Sequence, residues 1–133
     1  LGVSNTILDK PGKLDDTEWA IMRDHAARTA EILGRIGVFS DMALIAASHH
    51  ERLDGRGYPL GLDASNLAME TRIISVADIF DALTADRPYR GAMPLEAAMG
   101  IIDKESGGAL DPELIGLLKQ ALDSGAVKPS NEV

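Results

Sequence analysis

The stretch HHERLDGRGYP sets His49 and His50 side by side, ahead of a loop with two glycines and a proline. On a helix, neighbouring side chains point about 100° apart, so one cation rarely takes both, but two nearby cations could take one each. The other reading is of two polar residues that close a helix and are satisfied by hydrogen bonds. Read as helical, His49 shares a face with Met42 and Ile45, and His50 follows Ala43 and Ala47, so both point toward packed surface. Asp78 lies between Ala77 and Ile79 in the most apolar stretch of the chain. A carboxylate buried there needs a cation or several donors, because desolvating an unpaired charge is costly. Asp81 follows one turn later. Arg72, Arg87 or helix-end amides could satisfy both carboxylates structurally instead. His25 is the one remaining histidine, and its helix face could converge with the others.

The loop and the run DRPYR offer a second kind of chemistry. Gly55 and Gly57 permit backbone conformations closed to other residues, and Pro59 stiffens the exit. Tyr58 between them can present a hydroxyl or a stacking face. Arg87 and Arg90 flank Pro88, and two forked guanidinium donors near a metal cleft suit phosphate oxygens. A plain structural turn and solvated arginines are the competing readings.

Helices must position these groups. Asp15 or Asp16 caps a first long helix with Glu18 in its first turn, and Trp19, Met22, Ala26, Ala30 and Leu33 follow helical spacing until Gly34 and Gly37. A second helix is expected from about Asp41 to His50 or Arg52, followed by a connection over 53–69. A third, from about Glu70 to Ala85, is apolar nearly all round and is expected to be buried on most sides. Pro94 opens a fourth helix ending near Glu105. Asp111-Pro112, an N-cap followed by proline at the first helical position, opens a fifth to about Asp123. Residues 1–14 read as a loop, and the tail VKPSNEV as disordered. The chain therefore reads as all-α, about five helices, with one domain over 1–125 and a tail over 126–133.

Composition narrows the functions available. The chain has 133 residues, enough for one domain with a sizeable core. Cysteine is absent, so thiolate sites and disulfides are excluded, and any metal must use His and carboxylate. The formal net charge of −8 argues against a partner such as duplex DNA or RNA, which needs clustered Lys and Arg. It leaves room for a small phosphorylated substrate, because a local arginine pair or a bound cation can invert the potential in one cleft. No apolar run reaches membrane-spanning length, and Leu1 does not begin a signal peptide, so a cytoplasmic domain without membrane contact is expected. Leu1 is no initiator Met and is expected not to be the natural start.

HHERLDGRGYPLGL followed by RIISVADIFDALTADRPYR resembles the signature region of HD-GYP domains, the cyclic-di-GMP phosphodiesterase branch of the HD metal-dependent phosphohydrolases. LDKPGKLDDTEWAIMRDH and the late LDPEL match as well, so the resemblance runs from Leu1 to about Leu118. It implies a helical bundle around two or three divalent ions, commonly iron or manganese. His25, His49, His50 and Asp78 match the family's metal ligands, and Gly57, Tyr58 and Pro59 stand for the GYP of the name. Asp81, Arg87 and Arg90 fall at its acidic and phosphate-contacting positions, where they would take catalytic roles, the arginines also binding substrate. Ala26 replaces a usual proline, and Ala64 and Ala68 stand where Gly and Pro are common, which affects loop stiffness more than chemistry.

The resemblance implies a bacterial signalling enzyme that cuts cyclic-di-GMP, with a receiver or sensory domain in the parent protein. In the family, HDIGK precedes the segment matching LGVSNTIL and supplies a His-Asp dyad. Without it, these residues alone are expected to have little or no phosphodiesterase activity. Without the helix that carries it, an apolar groove beside the first and third helices is expected to drive association into a homo-oligomer. The alternatives are a non-catalytic HD-GYP module for ligand sensing or protein contacts, and a general HD-type nucleotide phosphohydrolase.

Overall fold

Asn5–Leu8 form a single helical turn, α1, where a loop was expected; Ile7 is buried and Leu8 faces out. The structure is a computed structural model that describes residues 3–88 and 90–132, apart from the side chains of Val38, Ser40 and Asp41. Leu1, where the resemblance opens, Tyr89 of DRPYR and Val133 of the tail lie outside the described residues.

Helix α2, Asp16–Gly34, starts at the expected cap. The Asp15 carboxylate accepts from the Glu18 N–H at 2.8 Å and the Glu18 carboxylate accepts from the Asp15 N–H at 2.8 Å, which satisfies two of the amides left open at a helix start. Exposed pairs Asp24–Arg28 and Glu31–Arg35 follow at i,i+4 on its outer face. Such pairs add only about 0.3–0.5 kcal/mol each. A 3-10 turn at Gly37–Phe39 leads into α3, Ser40–Ala47, which packs against α2.

The second expected helix ends earlier than its sequence suggested. Ser48 caps α3, and His49 and His50 lie in the turn beyond it. The face shared with Met42 is therefore lost, and Met42 is exposed. Contacts distant in sequence outcompete helix continuation here: the buried Ser75 hydroxyl lies 2.9 Å from the His49 carbonyl, and Glu51 turns its carboxylate into the following loop.

Helix α4, Met69–Thr84, α5, Leu95–Lys104, and α6, Pro112–Asp123, build the core. Val76, Phe80, Ile102, Ala109, Leu110 and Ile115 meet between them. Each large side chain fully buried in this way contributes about 1.5–3 kcal/mol. Only one side of α4 is packed, against the expectation of burial on most sides: Ile73, Ile74, Ala77 and Asp78 are exposed. Asp111 caps α6 with Pro112 at the first helical position, as expected, and accepts from the Glu113 N–H at 2.9 Å. Arg72 donates to Asp111 at 3.1 Å and to the Leu67 carbonyl at 3.1 Å, tying α4 to the start of α6 and to the long connection.

Where the sequence suggested a disordered tail, Ser130–Glu132 form a 3-10 turn. Ser130 donates its N–H to Thr84 at 3.1 Å and its hydroxyl to Asp81 at 2.6 Å. Among the described residues no strand forms, only isolated bridges, so the all-α reading holds.

Candidate metal centre and the loop beside it

The turn after α3 and the middle of α4 bring His49, His50 and Asp78 together, with one ligand atom from each lying within 4.8 Å of the others. Ser75 sits one turn before Asp78, and its hydroxyl lies 2.9 Å from both the Thr71 and the His49 carbonyls, which sets the histidine turn against α4. The His49 Nδ1 lies 2.8 Å from the Ala46 carbonyl. A proton on Nδ1 makes that contact a hydrogen bond and leaves the Nε2 lone pair free for a cation. Burial, reinforced by the neighbouring His49 and His25, lowers the pKa of His50 from 6.5 to about 4. His50 is thus neutral at pH 7, the state a ligand needs. Two imidazoles and a carboxylate form a donor set that suits divalent transition ions. His25, from α2, borders this group: its ring lies 5.2 Å from that of His50 at 77°, and its Nδ1 contacts the Met22 carbonyl. Asp78 is exposed, so the cost of burying its charge, central to the sequence argument, does not arise.

A family model described as HD domain matches residues 4–114. The chain belongs to the HD domain family. Similar curated proteins include the 3'3'-cGAMP-specific phosphodiesterase 3 of Vibrio cholerae, 52% identical over 92% of this chain and 27% of the relative. The cyclic di-GMP phosphodiesterase response regulator RpfG of Xanthomonas campestris is 40% identical over 89% of this chain and 32% of its own length. A cyclic di-GMP phosphodiesterase of Thermotoga maritima is 40% identical over 86% and 32%. The chain thus spans about a quarter to a third of the relatives it matches, and their names support the HD-GYP resemblance.

In this HD domain the GYP loop is built onto the histidine turn. Gly55 adopts φ +75°, as its glycine suggested. Gly57 serves differently: a Cβ there would lie 2.5 Å from the Glu51 Cα and the His50 carbonyl oxygen and 2.6 Å from the Arg52 nitrogen. The Tyr58 N–H donates to the His50 carbonyl at 3.3 Å, its ring stacks on His50 at 4.8 Å, and the bond to Pro59 is cis. Burial first, then the Asp78 charge, raises the Tyr58 pKa, so the phenol keeps its proton at neutral pH.

Glu51, directly after the histidine pair, is 3% exposed. Its carboxylate accepts from the Leu60 N–H at 2.6 Å and the Leu62 N–H at 2.9 Å, clamping the far side of the loop. Glu51→Gln is expected to replace one acceptor by an amide donor facing a backbone N–H. It should cost about 1–3 kcal/mol, read as a lowered denaturant midpoint at constant m-value. The only sequence cue was its place after two candidate ligands.

Two clefts flank His50. One of about 180 Å³ holds the ligand group and Ser75. The other, about 480 Å³, lies between α2 and the loop and is lined by Trp19, Tyr58 and the arginines Arg23, Arg52 and Arg56. Arg87 and Arg90 line neither. Arg87 lies 3.7 Å from Asp81, and Arg90 donates to the Ala82 carbonyl at 2.6 Å. Asp81, bound also by Ser130, is outside the three-residue ligand group. Arg23, Arg52 and Arg56 therefore line the clefts beside the candidate centre, while Arg87 and Arg90 sit at the end of α4.

The lowered His50 pKa fixes a pH response for the metal-free chain. Between pH 6.5 and about 4 the unfolded chain binds a proton that folded His50 resists. The contribution is fully present above pH 6.5 and is lost as pH falls through the window. Thermal melts in chelator are expected to show Tm falling over that range, and His50→Gln should flatten the response.

Proposed function

We propose that this HD domain is the catalytic part of a divalent-metal phosphodiesterase that hydrolyses a cyclic dinucleotide, with His49, His50 and Asp78 as ligands and His25 completing one side. The observation that carries the reading is the convergence of three ligand atoms within 4.8 Å beside an arginine-bearing cleft. The relatives' phosphodiesterase names support it. Bound ions would supply Lewis acidity and an acidified water at neutral pH. Neutral His50 offers its lone pair, Tyr58 borders the cleft as a protonated phenol, and Arg23 and Arg56 offer charge to phosphate oxygens. Catalytic roles for Asp81, Arg87 and Arg90, with the arginines contacting substrate phosphate, belong to the same proposal; they sit together at the end of α4.

Iron or manganese, two or three ions in all, suits the mixed imidazole and carboxylate donors. Among the described residues no helix is long and apolar enough to cross a membrane, and the proposal places the activity in the bacterial cytoplasm. The exposed Ile73 and Ile74 of α4 support self-association.

The test is turnover of cyclic-di-GMP and 3'3'-cGAMP by the protein that carries this domain. Activity is expected with Mn²⁺ or Fe²⁺, and its loss is expected on chelation and in His50→Ala. Turnover that survives both, or none with any divalent ion, overturns the proposal.

A further inference from the structure

Gly125 takes φ +74° beyond the end of α6, a conformation that closes many helices, and the Val127 N–H donates back to the Ala121 carbonyl at 3.1 Å. The segment that follows packs against α4 and is anchored three times. Val127 borders the apolar cleft between α4 and α6, Pro129 is buried, and Ser130 reaches the last turn of α4. There the Ser130 N–H donates to the Thr84 hydroxyl at 3.1 Å, which donates in turn to the Phe80 carbonyl at 2.9 Å. Thr84 is fully buried, so water competes little for this contact, and the place of the Ser130 side chain is fixed by its own backbone.

That side chain meets Asp81. The Ser130 hydroxyl donates to Asp81 Oδ1 at 2.6 Å, a charge-assisted bond of the stronger kind. The other oxygen, Oδ2, lies 3.7 Å from the Arg87 guanidinium, close enough for an ion pair but too far for a hydrogen bond. A guanidinium beside an accessible carboxylate favours two parallel N–H···O bonds, because its fork matches both oxygens. Here Ser130 already engages one oxygen and fixes the orientation of the carboxylate, and the fork stays open.

We propose that Ser130 is a positioning residue: by holding Asp81 it keeps Arg87 from closing on that carboxylate and leaves the guanidinium free to meet a phosphate oxygen of the substrate. The identity of that phosphate rests on the phosphodiesterase reading, whereas the Asp81–Arg87 pairing is measurable without it. The segment after α6 thereby acts as a strap on the end of α4, far in sequence from the arginine it serves.

Ser130→Ala removes the hydroxyl and keeps the N–H on Thr84, so the segment stays docked. In the isotope-labelled chain the Arg87 Nε–H resonance is assigned by its loss in Arg87→Lys. It is expected to shift and to exchange more slowly with water in Ser130→Ala, as the fork closes on Asp81, and to return to its wild-type position in Ser130→Thr. In Asp81→Asn, Ser130→Ala should add no further change. In the protein that carries this domain, with Mn²⁺ and cyclic-di-GMP, Ser130→Ala is expected to raise KM about two- to fivefold, the scale of one exposed ion pair, and to change kcat less. An Arg87 resonance that is unmoved or exchanges faster in Ser130→Ala overturns the proposal, as does an unchanged KM beside a moved resonance. The expected change at Arg87 in a protein that turns over no cyclic dinucleotide upholds the role of Ser130 and sinks the phosphodiesterase reading.

Discussion

Asp78→Asn is expected to weaken divalent-ion binding more than the ~10–100-fold typical of changes outside the ligand set. The substitution keeps size and removes both the charge and the anionic ligand oxygen from a group whose ligand atoms lie within 4.8 Å of one another. Because Asp78 is exposed, no buried charge loses a partner, and the metal-free melting temperature should move little. Calorimetric titration with Mn²⁺ beside a thermal melt separates the two effects. Unchanged affinity would remove Asp78 from the centre. A large fall in metal-free stability would make it a structural carboxylate instead.

Gly57→Ala carries the largest expected effect on the fold around the site. The added methyl meets only backbone atoms, at 2.5–2.6 Å, so no rotamer change can relieve the contact. Either the loop lifts from the His50–Arg52 segment or that segment moves. Overpacking of this kind costs about 1–3 kcal/mol, and the upper end is expected where backbone must give. For a chain of this size that is a fall of several degrees in Tm. Lifting the loop also removes the Tyr58 ring from His50, so ion affinity should fall together with stability. A melt within about a degree of wild type would show that the close approach does not constrain the domain.

Local chemistry was legible in the sequence, and tertiary capture was not. The Asp15–Glu18 box and the Asp111-Pro112 start act within four residues, so their positions in the sequence carry their whole meaning. His49 and His50 were identifiable as a pair, yet no glycine or proline marks the end of α3 at Ala47. Beyond Ala47 the chain meets partners distant in sequence: the Ser75 hydroxyl, shared with the Thr71 carbonyl, lies 2.9 Å from the His49 carbonyl, and Glu51 turns into the loop. Arg87 and Arg90 had the right chemistry for phosphate, but Asp81 and the Ala82 carbonyl hold them at the end of α4. Arg23 and Arg56 are far apart in sequence and line one cleft only because α2 faces the loop. The apolar pattern of α4 overstated its burial, because periodicity reports what a face could bury and not what covers it.

His50 and Glu51 are consecutive, and they serve different groups: the His50 ring lies in the candidate ligand cluster, while the Glu51 carboxylate accepts from the amides of Leu60 and Leu62. Fixing the backbone of one such residue costs about 1–2 kcal/mol of conformational entropy. An ion that held the turn would therefore lower the entropy still to be lost when a ligand further ordered the Glu51-clamped loop, and such a ligand would do the same for the ion. The two binding events would then be cooperative without any change of shape, and slowed hydrogen exchange at the Leu60 and Leu62 amides on ion binding is the expected sign of it.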